Sequence, residues 1–373
     1  MRFTIKREEF LKGLNIASRA VASKVAVPVL ANLKVELNEN GLFIMGSNYD
    51  LTIRTFIPYK QDEFEIIRNF KEGATLINSK IIVEIARKMG CDELTFDVVD
   101  STVAVVSGGG SNYTLNCVKP EEYPDLDLEN GGTNLTLTKD QFDTIVSQTA
   151  FAASMKEQRP ILTALNLEAS NGLLVATATD SARLARKEIS IPQGIEFVAN
   201  VPAKMMVEVD HLLEGNDSVD IAFSDKKALF SLGRTVIATR LVAGDYPNTK
   251  GIVPRITNYS LEVNGADVMR AIERANILSI DRENVVDLTM DENVVEISAR
   301  SSQVGSAVEK IELFKFEGDS LKISFNSEFV LAAIRALGSE DVTFLFVGEM
   351  KPFVIKNATD DSVIQIVTPV RTY

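Results

Sequence analysis

The sequence predicts an α+β protein built from three similar domains, and three recurring patterns predict it. In the first, an alternating run hands over to apolar residues at helical spacing. It occurs as Phe3-Thr4-Ile5 then Phe10, Leu135-Thr136-Leu137 then Phe142, and Leu261-Glu262-Val263 then Val268. The second is a short strand that ends in a cap-like residue or proline and opens a helix. Its copies are Ile77-Asn78-Ser79-Lys80, Val201-Pro202-Ala203-Lys204 and Phe325-Asn326-Ser327-Glu328. The third is an alternating strand behind each of those helices: DELTFDVV from Asp92, DSVDIAFS from Asp217 and EDVTFLFV from Glu340.

In chain order the first helices of the repeats read REEFLKGLNIASRA, KDQFDTIVSQTAFAA and GADVMRAIERANIL, and the second ones IIVEIARKM, MMVEVDHLL and FVLAAIRAL. The period of roughly 120 residues is far above that of a stacked solenoid and suits domains of about eight strands and two helices. Matching turns, EEYPDLD from Glu121 and GDYPNTK from Gly244, close two of the copies. The turn-rich NGGTN at 130–134 and the stretch around Pro254 serve as linkers, giving domains 1–129, 130–255 and 256–373.

Composition narrows the class. Apolar residues are 45% and charged residues 24% of the 373, enough for each domain to bury a core. The first twenty residues lack the apolar run of a signal peptide, and no stretch has the length to span a bilayer. Cys91 and Cys117 read as two reduced thiols packed as small hydrophobes, so the expected location is the cytoplasm, with no membrane partner. A net charge of −13 argues against gripping nucleic acid with the whole surface, while leaving room for a basic face.

No catalytic constellation emerges. His211 is the only histidine and has no second ligand or nucleophile to work with, so it reads as a helix-surface residue. Gly108-Gly109-Gly110 is followed by neither Lys-Ser nor Lys-Thr and reads as a hairpin turn between Val103–Val106 and Tyr113–Cys117. The acidic stretch from Asp125 has Asn130 and Thr136 where a calcium loop needs Gly and Glu. Glu121-Glu122 and Asp360-Asp361 read as solvated loop charges. There is no Trp for a stacking platform. No catalytic residue, cofactor or metal is expected. Basic residues, by contrast, gather on the repeated helices and their ends: Arg7, Lys12, Arg19, Lys80, Arg87, Lys88, Arg270, Arg274 and Arg335, with Lys24, Lys156 and Lys204.

Eight landmarks in order give the chain a family. Met1-Arg2-Phe3-Thr4, PVLANL from Pro28, EEYPDLD from Glu121, ATDSARLA from Ala178, LVAGDYPN from Leu241, ERANILS from Glu273, ISFNSEFV from Ile323 and TPVR from Thr368 resemble the beta sliding clamp of bacterial DNA polymerase III along the whole length. The resemblance implies three domains of the DNA-clamp type in a head-to-tail homodimeric ring, with helices lining the interior and antiparallel sheets outside. Such a ring is a processivity factor, not an enzyme. It encircles double-stranded DNA topologically and independently of sequence, and it tethers replicative polymerase, clamp loader and repair proteins through linear peptides.

Carried over position by position, the resemblance makes Lys24, Lys80, Lys156 and Lys204 face the DNA. It places Ile277 and Leu278 in the dimer interface near Asn112 and Tyr113 of the partner. It forms a peptide pocket from Arg159, Leu162, Thr179, Ser181, Arg183, Leu184, Pro247, Ile252, Asn326, Phe329, Val367, Thr368, Pro369, Val370 and Arg371. Two departures, Ala182 for a histidine and Gly251 for a basic residue, bear on peptide preference. The readings set against it are an α+β repeat enzyme with Asp180 and Arg183 in a cleft, and a relative that serves a plasmid or phage.

Overall fold

The computed structural model describes residues 1–22, 27–129, 131–254, 256–279 and 284–371. Lys24, Asn130, the boundary residue Arg255 and the terminal Thr372 and Tyr373 lie outside the described residues. Six α-helices occur among these residues, two to each repeat: α1 (Arg7–Ser18) and α2 (Ser79–Lys88), α3 (Lys139–Thr149) and α4 (Ala203–Leu212), α5 (Gly265–Asn276) and α6 (Ser327–Leu337). Asparagine side chains start three of them. Asn78 accepts from the Ile81 amide, Asn264 from the Asp267 amide, and Asn326 from those of Glu328 and Phe329. None is long and apolar enough to cross a membrane.

The chain packs as two compact units, residues 1–139 with 211–241, and residues 140–210 with 242–373. In the first unit thirteen strands form one sheet, and in the second unit there is a sheet of nine and another of four. The described pairings are antiparallel throughout. Each large sheet joins two repeats edge to edge. Leu51–Pro58 of the first repeat pairs with Thr235–Arg240 of the second, placing Ile53 opposite Ile237. Arg183–Ser190 of the second pairs with Val363–Val367 of the third, placing Ala185 opposite Gln365.

The expected hairpin is present: Val103–Gly108 pairs with Ser111–Val118, and its two turn residues, Gly109 and Gly110, both have positive φ (56° and 82°), which other residues adopt only with strain. His211 is exposed on α4, and Cys91 and Cys117 are free thiols, the latter pushed above its ordinary pKa by burial.

In the first unit Phe3, Phe10 and Phe96 close the core of the first repeat. Phe3 and Phe96 stack with ring centroids 5.3 Å apart, and Phe10 meets both edge-on. In the second unit Phe325, Phe344, Phe346 and Phe353 do the same for the third repeat. Truncating Phe96, which is fully buried, leaves a cavity between Phe3 and Phe10. Phe96→Ala is therefore expected to destabilise the first unit by about 3–5 kcal/mol. Urea unfolding followed by far-ultraviolet circular dichroism checks it, and an unshifted transition contradicts this packing.

Candidate functional site

The second unit holds a cavity of about 490 Å³ where a hairpin, a 3-10 turn and a linker segment meet. The hairpin supplies Thr179, Ser181, Arg183 and Leu184, the 3-10 turn Pro160–Thr163 supplies Ile161 and Leu162 beside Arg159, and the segment after Tyr246 supplies Pro247, Thr249 and Ile252. Pro352, Ile366 and Thr368 complete the wall.

Local hydrogen bonds fix this shape. Asp180 Oδ1 accepts the amides of Ala182 and Arg183 at 2.9 and 3.0 Å, which forces Ser181 into positive φ (81°) and turns the chain sharply. The second Asp180 oxygen accepts Arg183 Nε at 3.0 Å. The Arg183 guanidinium also lies over the rings of Phe329 and Phe151, at 4.6 and 5.5 Å. One side chain thus links the hairpin to α6 and to the 3-10 turn Ala150–Ala152 that follows α3. The tail follows: the Thr368 amide donates to Ala182 O and the Val370 amide to Ser324 O. Asp180 is occupied in forming this turn. Among the described residues no three His, Cys, Asp or Glu side chains gather as a metal would require.

Most of the residues expected in the pocket line this cavity: Arg159, Leu162, Thr179, Ser181, Arg183, Leu184, Pro247, Ile252 and Thr368. Phe329 lies beneath Arg183. Val367 differs. It is only 1% exposed and belongs to the third repeat's core, because adjacent residues of a strand point to opposite faces and Ile366 takes the cavity side, opposite Leu184. Asn326 also differs, its carboxamide being engaged as the cap of α6. Pro369 and Val370 are half-buried along the tail and Arg371 is exposed, as is Gly251; Ala182 is half-buried in the turn. Sequence reasoning missed Ile161, Thr249, Pro352 and Ile366.

The first unit carries a counterpart whose chemistry differs. Asn48 Oδ1 accepts the amides of Asp50 and Leu51, Tyr49 has φ 75°, and Tyr123 matches Tyr246 in carrying a buried phenol oxygen without a hydrogen-bond partner among the described residues. Burial pushes both tyrosine hydroxyls well above the usual phenol range. By strand register Thr52 stands for Leu184, Ala238 for Ile366 and Lys227 for Pro352. Lys227 Nζ reaches the carbonyls of Asp127 and Glu129 at 3.3 and 3.0 Å and the Asp127 carboxylate at 2.5 Å, pinning the linker to the sheet. The space left there is polar and bordered by Asp125, Glu129 and Asp225.

Lys80 and Lys204 are exposed at the second positions of α2 and α4, where the helix macrodipole repels a cation, so they do not serve helix stability. Glu328 holds the equivalent place in α6. Lys156 is exposed on a turn in which its amide donates to Ser154 Oγ. Ile277 is 67% exposed, whereas Leu278 packs partly on its own repeat's core; Asn112 and Tyr113 are exposed.

Three consecutive parts of the chain match the domains of the DNA polymerase III beta subunit family: the N-terminal domain over residues 1–127, the central one over 136–248 and the C-terminal one over 250–371. The chain is similar to the beta sliding clamp of Halalkalibacterium halodurans, 33% identical over 381 residues, and to that of Bacillus subtilis, 30% identical, with all of both chains covered in each case. It also superimposes on crystal structures over the full length of both chains. The DNA polymerase sliding clamp of Bacillus subtilis gives a TM-score of 0.97 at 30% identity, and the DNA polymerase III beta chain of Streptococcus pneumoniae 0.96 at 31%.

Ile252 is 41% exposed on the cavity wall, so Ile252→Ala is expected to weaken binding of any peptide seated there at least tenfold, for which about 1.4 kcal/mol suffices. Its thermal midpoint stays within a degree or two. Val367→Ala behaves in the opposite way, lowering stability by about 2 kcal/mol through the loss of buried methyls. Calorimetric titration beside thermal melting of the two variants separates wall from core.

Proposed function

This chain belongs to the DNA polymerase III beta subunit family, the bacterial sliding clamps, and on that premise we propose how it closes, what faces the DNA and where its clients dock. It is an accessory processivity factor of three clamp domains, with DNA and a DNA polymerase as partners. Its further partners, its dimer and its cytoplasmic location with the nucleoid are our reading.

Two copies assemble head-to-tail into a ring of six domains, helices inward and sheets outward, with domain limits at 1–129, 130–255 and 256–373. The strand inventory carries this reading. Both junctions inside the chain join one kind of strand, the second of a hairpin (Leu51–Pro58, Arg183–Ser190), to another kind, the last of its repeat (Thr235–Arg240, Val363–Val367). The third repeat's strand of the first kind is Gly305–Ile311, which has one neighbour among the described strands. The first repeat's strand of the second kind is Ser111–Val118, whose outer side pairs only at Cys117 and Val118. Such open edges call for a partner, and two edges of different kind make a heterologous contact that closes into a ring. The same register sets Asn112 and Tyr113 against residues 306–308, near the exposed Ile277 at the end of α5.

Inside the ring Lys24, Lys80, Lys156 and Lys204 meet the phosphates, and the charge of −13 keeps the rest of the surface from sticking to DNA. The cavity of the second unit receives linear peptides from polymerase, clamp loader and repair proteins. Leu162, Leu184, Ile252 and Ile366 desolvate leucine or phenylalanine anchors, and Arg183 fixes their direction.

Because Leu278 supports its own core, Ile277→Asp is the cleaner test of assembly. A desolvated aspartate at an interface centre costs at least about 2 kcal/mol, so light scattering at micromolar concentration is expected to find more than tenfold weaker dimerisation with the fold intact. A variant that dimerises as the parent does would place the interface elsewhere.

Topological binding has its own signature. Once loaded with the loader and ATP, the protein is expected to stay on a closed circular plasmid in salt that strips contact-dependent binders. One restriction cut releases it within minutes. Neutralising Lys24, Lys80, Lys156 and Lys204 impairs loading and sliding more than retention on the circle. Gel filtration before and after cutting decides the matter, since retention on linear, unblocked DNA is incompatible with a ring.

A further inference from the structure

We propose that the peptide cavity continues past Pro247 and Thr249 into a polar channel that holds the main chain of the segment flanking a client's anchors. The proposal rests on the docking reading above and names a second region of the same site.

A second cavity of about 480 Å³ in the same unit adjoins the first at Pro247 and Thr249, which line both. Its floor is the sheet beneath residues 244–250. One row across the strands is Asn200, Asn166, Thr177 and Arg186, and the next is Val198, Glu168, Val175 and Glu188. Four strands make three spacings, about 14 Å in all, which four or five extended residues cover.

The chemistry of this floor selects backbone. Asn200 Nδ2 donates to Gly244 O at 3.0 Å and Asn166 Nδ2 donates to Asn200 Oδ1 at 2.9 Å. Asn166 is only 9% exposed, yet its own Oδ1 has no partner among the described residues. A carboxamide oxygen that opens onto the floor of a groove without a partner accepts an N–H, and an extended peptide presents one every second residue on each side. The charged groups make no such demand. Lys250 already pairs with Glu168 at 3.1 Å and Arg186 with Glu188 at 2.5 Å, which leaves Asp245 as the one lining charge outside an ion pair among the described residues. At the far end Val198, 69% exposed beside Glu168, offers an apolar contact that is indifferent to sequence. The anchors thus select the client, while the channel lengthens its hold whatever the flanking sequence.

Three peptides on the full-length protein test this by fluorescence anisotropy: a core with Gln and Leu/Phe anchors, the core with six Ser/Ala residues added at either end, and the core with six prolines added instead. One Ser/Ala extension is expected to bind five- to tenfold tighter than the core, and the proline extensions, lacking N–H donors, no tighter than the core. Asn166→Leu removes the gain without altering core affinity, and Val198→Arg, at an exposed site that leaves folding untouched, reduces it. Equal affinity of core and Ser/Ala peptides overturns the channel alone, as does a gain that survives in both variants or is matched by the proline flanks. Failure of the core peptide to bind the unaltered protein overturns the docking reading, and the channel with it.

Discussion

The pairing of Arg183–Ser190 with Val363–Val367 is the interaction on which the site depends. Backbone hydrogen bonds between strands of different repeats turn two edges, each of which would otherwise be exposed, into the middle of a nine-stranded sheet. That pairing sets Leu184 opposite Ile366 and holds the 180–183 turn against the tail, through the bond from the Thr368 amide to Ala182 O. Without it the cavity has no floor. Lys187, nearly buried on the same strand, ties the two repeats again through Asp360 at 3.0 Å and Ser362 at 2.7 Å.

Arg183 is the other constraint. A guanidinium held by one carboxylate and two rings has little freedom, so its orientation is settled before any ligand arrives. Preorganisation of that kind lowers the entropy lost on binding, and it ties the cavity's shape to where α6 starts. The cap at Asn326 and the stack at Phe329 lie within four residues of each other, so the first turn of α6 both begins the helix and supports the site.

Much of the fold was legible because the repeats state it three times. Asn78 and Asn326 mark helix starts by a capping chemistry that needs no tertiary context, and the Gly109-Gly110 turn is dictated by φ alone. The cavity was legible in part, and through family resemblance rather than pattern. In VIQIV the burial is almost continuous, so alternation does not tell the face that lines a pocket from the face that enters a core. Val367 was assigned to the wrong face for that reason, and Ile366 was missed. Pro352 and Thr249 lie on loops whose approach to the wall depends on pairings more than a hundred residues away. At Lys80 and Lys204 a cation sits against its own helix dipole, a placement that can be read once the helix starts are known.

Lys227 sets the first junction apart from the second. The first junction has the same turn, the same buried tyrosine and the same strand register as the second, but an ammonium clamped to its linker replaces a proline and leaves no greasy hollow. One architecture, written twice in the chain, thus carries a charged anchor at one junction and an apolar recess at the other: duplicating a fold has not duplicated its surface chemistry.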